Sequence, residues 1–175
     1  MKRWSEDDRY QAQTDLIRKA LSSDDHPFSA LLEGMRESGE SAVYLCGSRI
    51  DSEFCFGSED IGFLVSVLPE DAPKASVPGY HPGSTEVYVT FQGRLTIEYL
   101  ADREVQTRDV SQHEVAVLPP GRCHRVLPVP DEPAASLIVK TNLSHEPSVV
   151  RCGDCAYFED VVDCPLHRSW ALEDS

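Results

Sequence analysis

The segment GYHPGSTEVYVTFQG, residues 79–93, joins a Pro-Gly-Ser turn to an alternating strand that closes on a glycine. Within it, Glu86 has the same strand parity as Tyr88 and Thr90, because successive side chains of a strand point to opposite faces. A carboxylate on the same face as a threonine suits a polar cavity, and a buried carboxylate needs a cationic partner or a metal ion. The segment therefore predicts a hairpin whose His81 and Glu86 point toward a polar site.

Short apolar or alternating segments fill the middle of the chain, and turn residues such as Pro-Glu-Asp and Pro-Pro-Gly-Arg separate them. The pattern predicts nine strands, at 42–47, 52–57, 61–68, 85–92, 94–100, 104–110, 114–119, 124–129 and 136–141. Because no helical period interrupts these segments, they favour a mainly β, antiparallel sandwich or barrel. We expect its interior to be lined by residues such as Tyr88, Thr90 and Phe63.

The two ends of the chain differ from the middle. Apolar residues at helical spacing predict helices over 5–21 and 28–36. After about residue 147 the chain is dense in Cys and Asp. We therefore expect an N-terminal helical segment (1–38), a β-barrel (39–146) and a Cys-rich tail (147–175).

Composition narrows the classes of partner. The 175 residues carry 30 acidic and 16 basic side chains, a net charge of −14, which repels nucleic acids and anionic membranes. No apolar run has the length of a membrane helix, and none follows the N-terminus as in a secretory signal. The cytoplasm is therefore the expected location, and the six cysteines are expected to be thiols or metal ligands and not disulfides.

A second candidate ligand lies in LPPGRCHRV, residues 118–126, where Gly121 makes a turn and His124 opens a strand. Cys123 should point away from His124, and we expect it to be a core thiol. In an antiparallel barrel this returning strand can bring His124 toward His81 and Glu86.

The two segments together resemble the motifs of the cupins. The first cupin motif is a glycine, a His-x-His pair, a glutamate and a closing glycine, and His81, Glu86 and Gly93 follow it. The second ends in Pro-x-Gly-x-x-His, which PPGRCH matches through His124. The resemblance covers about residues 42–142 and implies a double-stranded β-helix, or jelly-roll barrel, with these histidines and the glutamate at one metal site.

Two positions depart from the cupin pattern. Gly79 stands where the first histidine of the His-x-His pair would be, and His113 stands near the glycine that opens the second motif. The remaining set of His81, Glu86 and His124 is the two-histidine, one-carboxylate set of non-haem Fe(II) sites that activate oxygen. Zn(II), Mn(II) or Ni(II) could occupy it too, and a barrel that has lost its metal is the alternative.

The sequence around His81 and Glu86 is also similar to that of 3-hydroxyanthranilate 3,4-dioxygenases, which cleave an aromatic ring with Fe(II) and O₂. Val77 and Pro128 occupy the positions where that family carries its carboxylate-binding arginines. Spacing alone does not choose a substitute, and the candidates for a carboxylate clamp are Arg49, Lys74, Arg94, Arg125 and Lys140.

The tail carries a second set of metal-ligand residues. Cys152-x2-Cys155 is followed after eight residues by Cys164-x2-His167. Two such turns present three thiolates and an imidazole to one ion, which suits structural Zn(II), with a rubredoxin-like iron as the second choice. An oxidised Cys152–Cys155 pair or a thiol-disulfide redox centre is the alternative, and Trp170 is expected to pack over the site.

These features predict a cupin metalloenzyme, with a non-haem Fe(II)-dependent dioxygenase of a small organic acid, aromatic acids included, as the first hypothesis. The same ligands allow a metal-dependent isomerase or lyase. A non-catalytic small-molecule-binding or sensory cupin is the hypothesis from a different class. A small-molecule substrate and a homodimer are the partners that the resemblance implies.

Overall fold

The computed structural model describes residues 8–47, 58, 60–68, 77–145, 147, 149–155, 158 and 163–172. Their helices are α1 (Asp8–Leu21), α2 (Pro27–Ser38) and α3 (Pro165–Leu172). Their strands are β1 (Ala42–Cys46), β2 (Ile61–Leu68), β3 (Gly79–Tyr80), β4 (Glu86–Gln92), β5 (Arg94–Ala101), β6 (Glu104–Ser111), β7 (Val115–Leu118), β8 (His124–Pro128), β9 (Ala134–Thr141) and β10 (Val150–Arg151).

The strands form two antiparallel sheets, and consecutive strands repeatedly cross between them. The first sheet has the order β1-β2-β9-β4-β7 and the second has the order β10-β3-β8-β5-β6. This alternation is that of a double-stranded β-helix, so the predicted mainly β, antiparallel jelly roll is confirmed. Eight of the nine predicted strands are present within a few residues, and the segment 52–57 lies outside the described residues. The two-residue strands β3 and β10 were not predicted.

Apolar side chains from both sheets meet inside the barrel. The buried members of this core are Leu64, Tyr88, Leu95, Ile97, Val110, Ala116, Leu118, Ala134 and Ile138. Glu86, Tyr88 and Thr90 are all buried on alternate positions of β4, as the parity predicts. Phe63 has the parity of Val65 and Val67, which belong to a different core cluster, so its expected place in the barrel lining is wrong.

The two N-terminal helices cover the outer face of the first sheet. Pro27 begins α2, and Gly39, in the left-handed conformation at φ 73°, ends it by donating its N–H to the last carbonyls. The buried side of α2 includes Leu32 and Met35, which share a core cluster with Val43 and Val65 of the sheet. The helical segment is therefore an integral layer of the fold.

The C-terminal helix lies against the outer face of the second sheet, next to β5 and β6. Arg125 of β8 is 1% exposed, and it donates from Nε to Glu98 Oε2 at 2.7 Å and from an Nη atom to Ser169 Oγ of α3 at 2.8 Å. A buried guanidinium therefore connects the barrel to the tail.

The edge strand β7 leaves apolar side chains in solvent. Val115 and Val117 are 46% and 57% exposed. Exposed edge strands can pair with a second copy of a chain, and the homodimer stays a prediction.

Candidate metal centre

Four polar side chains meet between the two sheets. Glu86 opens β4, Lys140 lies opposite it in the register of β9, and both strands belong to the first sheet. His124 opens β8 of the second sheet. His81 follows β3, and the loop that carries it is tied to the turn before β8 because its carbonyl accepts the Gly121 N–H at 2.9 Å. The three residues that the cupin motif predicts are therefore brought together.

The distances within this group are short. His81 Nε2 lies 3.4 Å from Glu86 Oε1, and His124 Nε2 lies 3.0 Å from Glu86 Oε2. Lys140 Nζ lies 2.7 Å from Glu86 Oε1 and 3.1 Å from His81 Nε2. Glu86 is 3% exposed and Lys140 is 22% exposed, so the carboxylate is buried while the ammonium retains contact with solvent.

The orientation of His124 is set by its second ring nitrogen. Nδ1 lies 2.9 Å from the Arg122 carbonyl, which can only accept, so Nδ1 is the donor. In the neutral ring, Nε2 then carries a lone pair toward Glu86. Glu86 Oε2 is buried, and as long as the His124 ring is neutral this oxygen has no donor. Two acceptors that face each other in a buried site share either a proton on Nε2 or a metal ion, and a backbone-anchored histidine is the usual form of a metal ligand.

The carboxylate is held in its charged form. Burial by itself raises the pKa of Glu86, but the neighbouring His124 and His81 rings and the Lys140 ammonium outweigh burial and hold that pKa well below its ordinary value. Burial, followed by the charge of Glu86, raises the pKa of Tyr88 well above its ordinary value. The site therefore presents an ionised carboxylate next to a protonated phenol.

The donor set fits a divalent ion in kind and in pairwise spacing. Two ligand atoms held about 2.1 Å from one ion, at right-angle or tetrahedral spacing, lie roughly 3.0–3.4 Å apart. The Glu86 Oε2–His124 Nε2 and Glu86 Oε1–His81 Nε2 distances are 3.0 and 3.4 Å, so each histidine approaches a different oxygen of the carboxylate, at distances that also fit ion pairs. However, no group of three or more His, Cys, Asp or Glu side chains among the described residues is already arranged to hold a metal ion. In this arrangement the Lys140 ammonium supplies the positive charge beside Glu86.

The strand β10 lies against Gly79, the position at which the cupin pattern has a histidine. Gly79 pairs with His124 on one side and with Arg151 on the other. A Cβ atom at Gly79 would lie 2.9 Å from the Val150 carbonyl oxygen, which is closer than a side chain allows. The docked tail strand therefore leaves no room for a side chain at position 79.

Of the five candidate carboxylate clamps, the structure brings one to the site. Arg49 and Lys74 lie outside the described residues. Arg94 is a surface residue that pairs with Glu132 at 3.1 Å, and Arg125 pairs with Glu98 outside the barrel. Lys140 alone of the described candidates contacts Glu86 and His81. Sequence reasoning could not select it, because the register of β4 against β9 joins residues 54 positions apart.

The predicted tail ligands are partly assembled. Cys152 Sγ lies 3.1 Å from His167 Nδ1, and the His167 and Trp170 rings are 5.6 Å apart, which agrees with the expectation that Trp170 packs there. Cys164 is buried in a cluster with Leu166. Burial, together with the nearby Cys164 and Cys155 thiols, raises the pKa of Cys152 to about 11.

Cys123 is buried as predicted, but it belongs to the tail cluster. It packs with Cys164 and Leu166, and burial together with the three tail thiols raises its pKa to about 12. Cys46, Cys123, Cys152, Cys155 and Cys164 are all free thiols. The residue next to His124 is therefore the contact between the barrel site and the Cys-rich tail, which sequence spacing did not indicate.

The fold and the site define a double-stranded β-helix protein with a His, Glu and Lys group buried between its sheets. No protein-family model and no curated protein matches the chain. Solved structures are similar over part of it. An oxalate decarboxylase of Lactobacillus farciminis in complex with formate has a TM-score of 0.45 and 20% identity, over 53% of this chain and 27% of that one.

Two further solved structures have comparable similarity. An uncharacterised protein of Klebsiella pneumoniae with a double-stranded β-helix domain has a TM-score of 0.45 and 14% identity, over 54% of this chain and 76% of that one. An oxalate oxidase in complex with the substrate analogue glycolate has a TM-score of 0.44 and 21% identity, over 53% and 46%. The fold assignment rests on the order and pairing of the strands and not on these partial similarities. None of the described helices has the length and apolar character needed to cross a membrane.

Proposed function

We propose that His81, Glu86 and His124 bind a divalent transition metal, most suitably Fe(II), and that the protein is a metal-dependent dioxygenase of a small organic acid. The observation that carries this proposal is the approach of His124 Nε2 to the buried Glu86 Oε2, at 3.0 Å, with the His124 ring oriented by the Arg122 carbonyl. A bound iron would act as a Lewis acid and as a conduit for electrons between substrate and O₂.

The chain itself would prepare the site for that ion. The Arg122 carbonyl fixes the His124 ring so that Nε2 faces Glu86. The suppressed pKa of Glu86 keeps its carboxylate available as an anionic ligand at neutral pH. Tyr88, whose ring lies 6.3 Å from the His124 ring, borders the site on the side of the apolar core.

Metal analysis tests the barrel site directly. Protein purified without added metal should contain iron or another transition metal that His81→Ala and His124→Ala remove and that Cys152→Ala leaves in place. Oxygen consumption with a panel of small aromatic and aliphatic acids then tests the dioxygenase. A loaded barrel that consumes no oxygen with any acid would favour an isomerase or lyase, and a barrel without metal would refute the proposal.

The Lys140–Glu86 ion pair supports a second candidate, a barrel that binds a small molecule without turnover. Lys140 Nζ, 2.7 Å from Glu86 Oε1, neutralises the carboxylate without a metal ion. For this candidate, metal analysis should find only the metal of the tail, and His81→Ala should leave the metal content unchanged.

For the tail we propose a structural Zn(II) site formed by Cys152, Cys155, Cys164 and His167. The short Cys152–His167 contact and the common burial of Cys152 and Cys164 support it. Cys152→Ala should remove about one equivalent of zinc and lower the melting temperature, because metal-binding free energy is folding free energy. Cys46→Ala is the matched control, since it also removes a buried thiol and should leave the zinc content unchanged.

A further inference from the structure

A cavity separate from the barrel site lies where two turns of the barrel meet the tail, and we call it the junction cavity. Its volume is about 350 Å³, in the lower part of the range for small-molecule sites, roughly 300–1,000 Å³. The β5–β6 turn, the β7–β8 turn and Phe158 of the tail all contribute to its lining. Leu100 and Phe158 supply apolar surface, and Pro119 and Pro120 stiffen the turn beside them. No residue of the barrel site is among the described residues that line this cavity.

Two guanidinium groups line the junction cavity, one from each turn. Arg122 Nη1 donates to the Leu100 carbonyl at 2.6 Å, and the Arg122 guanidinium lies 5.7 Å from the centre of the Tyr99 ring. The Arg103 guanidinium lies 5.8 Å from the centre of the Phe158 ring. Because a guanidinium is attracted to the face of an aromatic ring, these contacts hold both cations at the cavity before a ligand arrives.

Neither of these guanidinium groups forms an ion pair with a carboxylate in the part of the chain that the structure describes. In contrast, Arg94 pairs with Glu132 and Arg125 pairs with Glu98. In a chain with a net charge of −14, two arginines without an acidic partner concentrate positive potential at one place. Asp102 also lines the cavity, and the described lining remains positively charged when its carboxylate is included.

The backbone of Arg103 is in a conformation that favours glycine. Asp102 and Arg103 form the two-residue turn between the paired residues Ala101 and Glu104, with φ angles of 51° and 66°. Hairpin turns with positive φ at both central positions prefer Asn-Gly, because an L side chain is strained in the left-handed region. Strained residues cluster at ligand-binding sites, so the strain directs attention to the Arg103 side chain.

We infer that the junction cavity binds a phosphate monoester of a small apolar group. Arg103 and Arg122 would bind the phosphate, and Phe158 and Leu100 would contact the apolar group. One guanidinium can satisfy a planar carboxylate through two parallel hydrogen bonds. Two guanidinium groups from separate turns instead match a phosphate ester, which has three terminal oxygens and a charge of about −2. This site goes beyond the proposed function and does not depend on a bound metal.

Isothermal titration calorimetry of the full chain with phenyl phosphate, in a phosphate-free buffer, tests the inference. The comparison ligands are inorganic phosphate, which lacks the ring, benzoate, which lacks the phosphate, and benzyl alcohol, which lacks the charge. Arg103→Met and Arg122→Met each remove one guanidinium from the cavity. Arg108→Met is the matched control, because Arg108 is an exposed arginine of β6 that does not line the cavity. Lys140→Met tests whether the phosphate is bound in the barrel instead.

Wild type, Arg108→Met and Lys140→Met should bind phenyl phosphate with equal affinity, at least tenfold more tightly than any comparison ligand. Arg103→Met and Arg122→Met should each lose about tenfold or more in affinity, because each loses charge-assisted hydrogen bonds to the phosphate. Arg103→Gly should lose the same affinity without a lower melting temperature, because glycine adopts a positive φ without strain. This combination separates a ligand contact from a structural role, and circular dichroism confirms that each variant is folded.

Several results would overturn the inference. An unchanged affinity in either Arg103→Met or Arg122→Met would contradict the paired guanidinium contact. Loss of binding in folded Lys140→Met would place the phosphate in the barrel. Equal affinity for a comparison ligand would show that the cavity does not select a phosphate ester, and no binding of phenyl phosphate at millimolar concentration would show that the cavity is not a ligand site. None of these results bears on the metal content of the barrel, so the proposed function is tested separately.

Discussion

Replacing Lys140 by Met and Glu86 by Gln, singly and together, measures the ion pair that occupies the barrel site. Lys140→Met leaves a carboxylate that is 3% exposed without its cation. Removing one partner of a fully buried pair costs about 3–5 kcal/mol. Because Lys140 is itself 22% exposed and solvent already screens it, we expect the lower end, about 3 kcal/mol.

Glu86→Gln leaves the ammonium with access to water beside a neutral amide, and we expect a loss of about 1–2 kcal/mol. The double variant contains no buried charge and should lose only about 1 kcal/mol. The coupling energy between Glu86 and Lys140 is then about 3–4 kcal/mol, at or just above the upper end of the range for contacting residues. For a chain of this length, Lys140→Met should lower the melting temperature by roughly 6–12 °C.

The pH dependence has a definite sign. The folded-state pKa of Glu86 lies below its unfolded value, so the stability that the pair contributes is present above about pH 4.3 and is lost as pH falls through the folded pKa. In Lys140→Met the pKa of Glu86 rises, because the ammonium that lowered it is gone. The stability gap between wild type and Lys140→Met should therefore narrow as the pH falls below about 4.3 toward the folded-state pKa of wild-type Glu86.

Urea unfolding of the four proteins at pH 7 and at a pH below about 4, with equal metal content, is the assay. A coupling energy below about 0.5 kcal/mol, the scatter expected for independent sites, would refute the reasoning. So would a gap between wild type and Lys140→Met that does not change with pH. Either result would mean that solvent, and not Lys140, stabilises the Glu86 carboxylate.

Two further predictions concern the tail and its attachment. Arg125→Met should lower the free energy of unfolding in urea by about 3–5 kcal/mol, because it breaks a buried ion pair. Arg94→Met breaks only surface pairs and should lower it by less than about 1 kcal/mol. Equal losses in the two variants would contradict the effect expected from their difference in burial. Gly79→Ala brings a Cβ within 2.9 Å of the Val150 oxygen, so it should cost about 1–3 kcal/mol and speed proteolysis of the tail. In the control Gly153→Ala, the added Cβ meets nothing within 4 Å, so neither the stability nor the rate of proteolysis should change. A tail that stays protected from proteolysis in Gly79→Ala would show that the docking of β10 does not depend on the close approach of Val150 to Gly79.

Local pattern determined much of the fold of this protein. The alternation from Glu86 onward placed that carboxylate on the buried face of β4, because the two-residue period of a strand is a property of the chain itself. Once a double-stranded β-helix was assumed, the spacing of His81, Glu86 and His124 predicted that the three residues lie in one site. The nine short segments and their turns indicated two antiparallel sheets without any knowledge of their order.

Only the tertiary structure decided what surrounds those residues. The pairing of β4 with β9 brings Lys140 to Glu86, and the pairing of β3 with β10 places Val150 against Gly79. The packing of α3 brings the tail thiols to Cys123. Each of these contacts joins residues about 40 to 70 positions apart in the sequence. Contacts over such separations depend on the order of the strands in the sheets, which local sequence patterns do not determine. In the sequence, Gly79 stands where the cupin pattern has a metal ligand. In the structure, the same glycine gives the tail strand β10 room to pair with β3.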